Sequence, residues 1–107
     1  MKHKEIYFDN NATTKPLPEV REEVLKVIGD EFGNPSSAHS TGKRARQNIA
    51  HARHELAELI GSDTSKITFT GSGTESNNMA FYSCTRERTN GCEILTTTVE
   101  HLSLIHI

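Results

Sequence analysis

The residues with the clearest chemical potential are Gly71-Ser72-Gly73-Thr74-Glu75 and, further along, Thr98-Val99-Glu100-His101. The first group follows an apolar, β-rich run at residues 67–70 and opens into helix-compatible sequence. Such a layout gathers unpaired backbone N–H groups and the positive end of a helix at one point, which suits an anion. Gly71 and Gly73 let a phosphate come close to the backbone, and Thr74 adds a hydroxyl. The spacing is neither a Walker A loop, since no Gly-Lys-Ser/Thr closes it, nor a dinucleotide fingerprint, since no third glycine follows. A plain structural turn explains the same residues, with Thr74 as helix N-cap and Glu75 and Asn77 in the first turn. His101 carries a planar group that titrates near neutral pH, suited to ring stacking or proton transfer. Taken alone, a histidine at that place also reads as an ordinary surface residue.

The elements that must position these residues follow from spacing and punctuation. Residues 66–70 and 93–99 read as strands, with a helix at about 75–87 between them and a turn at Asn90-Gly91. Strand, helix and strand at this spacing predict a parallel, right-handed βαβ unit, hence an α/β fold. Upstream, residues 4–9 read as a short strand with Ile6 and Phe8 on one face, followed by a polar turn at 10–15. Pro16 and Pro18 mark a helix start, Glu19, Glu22 and Glu23 suit its dipole, and Gly29 and Gly33 end it. Val20, Val24, Val27 and Ile28 recur at helical spacing and predict one buried face. A longer helix is predicted over 41–60, with Ala45, Ile49, Ala52, Leu56 and Leu59 as its apolar stripe and Gly61 as its stop.

Composition narrows the function classes. The chain has 107 residues, 34% hydrophobic and 24% charged, with a net charge of -2, so it fits one domain or part of one. That charge offers no attraction for nucleic acid or an acidic membrane. No apolar run approaches the roughly 20 residues of a membrane span. The N-terminus lacks an apolar signal core, which predicts a cytoplasmic protein. Cys84 and Cys92 have no CxxC or zinc spacing and read as reduced thiols. His51 and His54 are three apart on a helix, but no third ligand accompanies them, so no metal site is predicted. Glu75 and Glu100 are the acids beside the candidate site, and helix-capping and surface roles suffice for both.

Four segments, 6–14 (Ile-Tyr-Phe-Asp-Asn-Asn-Ala-Thr-Thr), 32–39 (Phe-Gly-Asn-Pro-Ser-Ser-Ala-His), 69–78 (Phe-Thr-Gly-Ser-Gly-Thr-Glu-Ser-Asn-Asn) and Val99-Glu100-His101, occur in this order. Together they resemble the N-terminal part of a cysteine desulfurase, a pyridoxal-phosphate enzyme of the class-V aminotransferase group. The resemblance covers roughly residues 4–101. It implies the start of a fold-type-I, aspartate aminotransferase-like large domain, truncated: residues 1–15 an arm belonging to the small domain, 16–107 the incomplete large domain. It implies that Gly73 and Thr74 hold the pyridoxal 5'-phosphate phosphate and that His101 lies over the pyridine ring, with a second role in proton transfer to substrate. Asn10 to Thr13 and the 32–39 loop resemble segments near the active site and dimer contact, with no chemistry assigned to His39.

The implied activity is conversion of L-cysteine to L-alanine, with sulfur leaving as a protein persulfide for iron–sulfur cluster assembly or tRNA thiolation. The implied partners are a second subunit and sulfur-acceptor or scaffold proteins. Pyridoxal-phosphate chemistry needs a Schiff-base lysine. Lys2, Lys4, Lys15, Lys26, Lys43 and Lys66 are not in the family's Ser-x-His-Lys context, and neither cysteine resembles the family's loop nucleophile. Both groups are expected downstream, so this chain alone is expected to be inactive. The ending at 102–107 departs from what the family has after its Glu-His. A selenocysteine lyase or another class-V aminotransferase shares these motifs. From a different class, a non-catalytic phosphate-binding or interaction module also fits.

Overall fold

The computed structural model describes residues 5–86 and 93–105, and all regular structure among them is helical. The helices are α1 (Pro18–Gly29), α2 (Ser40–Ile60), α3 (Gly73–Arg86) and α4 (Leu102–Ile105), with a 3-10 turn at Thr64–Lys66. The chain divides into two compact units, Met1–Thr64 and Ser65–Ile107.

In the first unit, Pro18 opens α1 as the preset φ of a first-turn proline favours, with Glu19 at its positive end and Lys26 at its negative end. Lys26 Nζ lies 3.4 Å from Glu23 and 3.5 Å from Glu31. The hydrogen bond to Glu23, then the charges of Glu23 and Glu31, hold the Lys26 ammonium above the usual lysine range. Glu31 also accepts a 2.6 Å hydrogen bond from Asn48 Nδ2, tying the end of α1 to α2. Before α1, the expected polar turn is present: the N–H groups of Ala12 and Thr13 both donate to Asp9 O.

The loop before α2 is locked onto the helix start. Asn34 Oδ1 accepts from Ser36 N–H, and Asn34 O accepts from Ser37 N–H. His39 is the N-cap of α2: its Nδ1 accepts from Gly42 N–H at 3.4 Å, and its carbonyl accepts from Lys43 N–H. Gly42 is buried, and a Cβ there would lie 2.6 Å from both Asn34 O and Ser37 O. Backbone oxygens have no rotamer by which to retreat, so Gly42→Ala is expected to destabilise by about 1–3 kcal/mol. A lower urea midpoint, with faster hydrogen exchange at Lys43, checks this. At the other end Gly61 adopts φ 63 and closes a Schellman motif, with Ser62 N–H on Ala57 O and Gly61 N–H on Glu58 O.

The expected sheet is not present among the described residues. Residues 5–9, 67–70 and 93–97 form no strand, so the βαβ unit predicted from 66–70 and 93–99 and the strand predicted at 4–9 are corrected. A strand exists through the ladder it shares with a neighbour, and these segments are joined in none. Their side chains tell the same story: Ile6, Phe8, Leu95 and Val99 are all exposed, where a parallel sheet is covered on both faces. The faces predicted to be buried are corrected too. Val20, Val24, Val27 and Ile28 of α1 are exposed, as are Ile49, Leu56 and Leu59 of α2, while Ala57 is buried instead. The helices form where the apolar spacing predicts them, but nothing among the described residues covers those stripes. The turn predicted at Asn90-Gly91, and Cys92, lie outside the described residues.

Candidate functional site

The second unit assembles the site from the start of α3 and the segment that ends in α4. Thr70 Oγ1 donates to Ser72 O and is hydrogen-bonded to Ser76 Oγ, folding the 67–70 run onto the helix start. The cap is Ser72, not Thr74. Ser72 Oγ accepts from Glu75 N–H at 3.2 Å, and Ser72 O accepts the first helical bond from Ser76 N–H. Glu75 folds back so that its Oε2 accepts a 2.7 Å bond from Gly71 N–H. This is a capping box displaced by one residue, and its sequence signature is Ser72-x-x-Glu75. That signature was legible and would have assigned the cap correctly.

With Ser72 as cap, Gly73 and Thr74 become the first two helical residues, whose N–H groups have no acceptor within the helix. Among the described residues, no partner occupies either N–H or the Thr74 hydroxyl. Both residues are exposed, and a Cβ built on Gly73 would meet nothing within 4 Å. The turn thus offers two N–H donors, one hydroxyl and open space at the positive end of a 14-residue helix. That donor set fits a phosphate group.

His101 is brought to the same helix by a chain of side chains that sequence reasoning missed. Asn77 Nδ2 donates to Ser103 Oγ at 2.9 Å, and Ser103 Oγ lies 2.8 Å from His101 Nδ1. Ser103 N–H also donates to Nδ1 at 3.1 Å, and Leu104 and Ile105 N–H groups donate to His101 O. His101 is therefore the cap of α4 while its ring remains exposed, and Ser103 is buried. Asn77 stands one turn into α3 from Gly73 and Thr74, and through Ser103 it links the segment that carries His101 to that helix.

The two acids do not converge. Glu75 is engaged at Gly71, and Glu100 Oε1 accepts from Thr97 Oγ1 at 2.9 Å. A groove of about 810 Å³ beside α3, lined by Met79, Phe81, Tyr82, Ile94 and Leu104 among others, includes neither Gly73, Thr74 nor His101. Among the described residues no group of histidine, cysteine and acidic side chains is placed to hold a metal, and His51 faces Glu55 at 3.9 Å. Cys84 is an exposed free thiol on α3.

The family model described as aminotransferase class-V matches residues 6–107. A cysteine desulfurase of Trichormus azollae is 41% identical over 102 residues, 95% of this chain and 26% of that protein. A NifS/IcsS protein homolog of Lactobacillus delbrueckii subsp. bulgaricus is 44% identical over 100 residues, covering 92% and 26% respectively. The cysteine desulfurase IscS of Methanosarcina thermophila is 38% identical over 105 residues, 97% of this chain and 26% of that protein. The chain thus spans about a quarter of the length of these curated relatives. No solved structure matches.

Proposed function

Since this chain belongs to the class-V aminotransferase family, we propose that it is the phosphate-anchoring N-terminal part of a pyridoxal-phosphate-dependent cysteine desulfurase. The observation that carries this reading is the start of α3, where the N–H groups of Gly73 and Thr74 and the Thr74 hydroxyl stand open together. Similarity to proteins named cysteine desulfurase supports the substrate: L-cysteine, converted to L-alanine with transfer of the sulfur.

In this reading residues 1–15 are an arm of the small domain and residues 16–107 begin the large one. Gly73 and Thr74 hold the phosphate by hydrogen bonds that need no lysine or arginine. His101 orients the pyridine ring by lying against it and holds a proton within reach of the substrate. Bound pyridoxal phosphate supplies an electron sink for the bonds at the substrate's α-carbon. The Schiff-base lysine and the sulfur-accepting cysteine lie outside these 107 residues. The enzyme is a homodimer of the cytoplasm and passes its sulfur to acceptor or scaffold proteins that serve iron–sulfur cluster assembly or tRNA thiolation. No helix among the described residues is long and apolar enough to cross a membrane.

The test is an assay of the full-length enzyme with pyridoxal phosphate, L-cysteine and a thiol reductant. Alanine and sulfide are expected in equal amounts. Turnover of selenocysteine with none of cysteine would make it a selenocysteine lyase. Failure to bind the cofactor at all would leave a non-catalytic module.

A further inference from the structure

We infer that Thr97 and Glu100 are positioning residues: together they close the chain ahead of His101 into a fixed turn, and so set where the imidazole meets the cofactor. The second half rests on the proposed placement of His101 against the cofactor; the first rests on geometry alone. Val99 N–H donates to Thr97 Oγ1 at 3.4 Å, and Thr97 Oγ1 donates to Glu100 Oε1 at 2.9 Å. The direction is fixed at both ends, since a backbone N–H can only donate and an ionised carboxylate can only accept. One oxygen therefore carries both bonds, and its proton ends on a charged acceptor, the stronger kind of hydrogen bond. The two bonds span residues 97–100, where the chain turns, and stop at the residue before His101.

Burial along this segment points the same way. Residues 93–99 and His101 are exposed, and the one side chain among them that is half-buried is the carboxylate of Glu100. Turning a charge inward costs free energy unless a partner meets it. The Thr97 hydroxyl is that partner. A threonine that bonds the backbone two residues on is a local turn device, and here it restricts the dihedral angles just before His101. Because the His101 ring is itself exposed, burial does not fix it, and its bearing depends on the backbone that carries it. A local departure from the ordinary pattern, with the charged side chain turned in, is expected where a site constrains the chain.

Two measurements on the full-length enzyme separate the halves. Freed of cofactor, it is followed by amide hydrogen exchange at Val99. Thr97→Val keeps the shape and removes the one oxygen that carries both bonds, so the Val99 rate should rise about fivefold, the loss of one neutral hydrogen bond. Thr97→Ser keeps the hydroxyl and should hold the parent rate. An unchanged rate in Thr97→Val would overturn the inference. With pyridoxal phosphate bound, the readout is circular dichroism in the cofactor's visible band. The cofactor ring is planar, so this signal comes from the groups held asymmetrically about it. His101→Ala sets the level without the imidazole. Thr97→Val and Glu100→Ala should fall toward that level, while Thr97→Ser and Glu100→Gln, which keep donor and acceptor, should stay with the parent. A merely structural turn would not make the cofactor's signal follow the hydroxyl. Parent-like dichroism in Thr97→Val, where His101→Ala has lost it, would overturn the inference with the cofactor reading intact. Parent-like dichroism in His101→Ala would instead fail the cofactor reading, and the positioning role with it.

Discussion

Replacing Thr74 by alanine in the full-length enzyme is expected to weaken pyridoxal-phosphate binding roughly 10- to 150-fold, since a hydrogen bond to a charged group contributes about 1.5–3 kcal/mol. The Thr74 hydroxyl has no partner among the described residues, and it belongs to the second residue of α3, beside the open N–H of Gly73. Helix stability should hardly change, because the cap is Ser72 and its bond to Glu75 N–H survives. Cofactor affinity and folding stability therefore separate in this variant. Titration of the cofactor's visible absorbance, run beside a thermal melt, checks both. Equal affinity in mutant and parent would remove Thr74 from the phosphate site.

The 107-residue chain by itself is expected to give no Schiff-base absorbance with pyridoxal phosphate and no sulfide from cysteine. None of its lysines stands in the family's Ser-x-His-Lys context. Its own packing argues the same way. Ala57 is the one buried hydrophobic residue among those described, while Phe8, Val20, Val24, Ile28, Leu59 and Leu95 are exposed. Ordering the backbone costs about 1–2 kcal/mol per residue, which so little burial does not offset. Exposed apolar surface of this extent favours association. Mixing purified chain with cofactor, then reducing with borohydride and mapping peptides by mass, tests the point. A stoichiometric adduct at one lysine together with sulfide release would show the chain to be catalytically complete.

Local chemistry made the helices legible. Pro18 opens α1 as its preset backbone angle dictates, and Gly61 stops α2 in the left-handed conformation that few other residues adopt. The glycine turn ahead of α3 was equally readable, and the structure starts that helix at Gly73, two residues before the expected start. The strands at 66–70 and 93–99 were not readable in this way. β-propensity reports fitness for a half-buried pleated surface, and that surface is made by partners at other places in a chain. The same holds for the stripes of α1 and α2: a 3.6-residue period shows that a face is apolar, not what lies upon it. The Asn77–Ser103–His101 series was hidden for a different reason. Asn77 and Ser103 are 26 residues apart, and no spacing rule joins a helical amide to a serine after a histidine.

The carboxylate of Glu75, closed on Gly71 N–H, bears on how the turn would tell one anion from another. Between Gly71 and Glu75 the sequence has a single formal charge, and it is negative. An anion arriving there finds no opposite full charge on the turn, only oriented dipoles and short-range donors, and it meets repulsion from a neighbour already in place. Attraction between full charges fades over a Debye length of about 8 Å at physiological ionic strength, but hydrogen bonds at contact distance are little screened. Retention at such a turn is governed by the match of oxygens to donors, so it is nearly indifferent to salt. A small chloride ion, with charge but no tetrahedral array of acceptors, competes poorly for it.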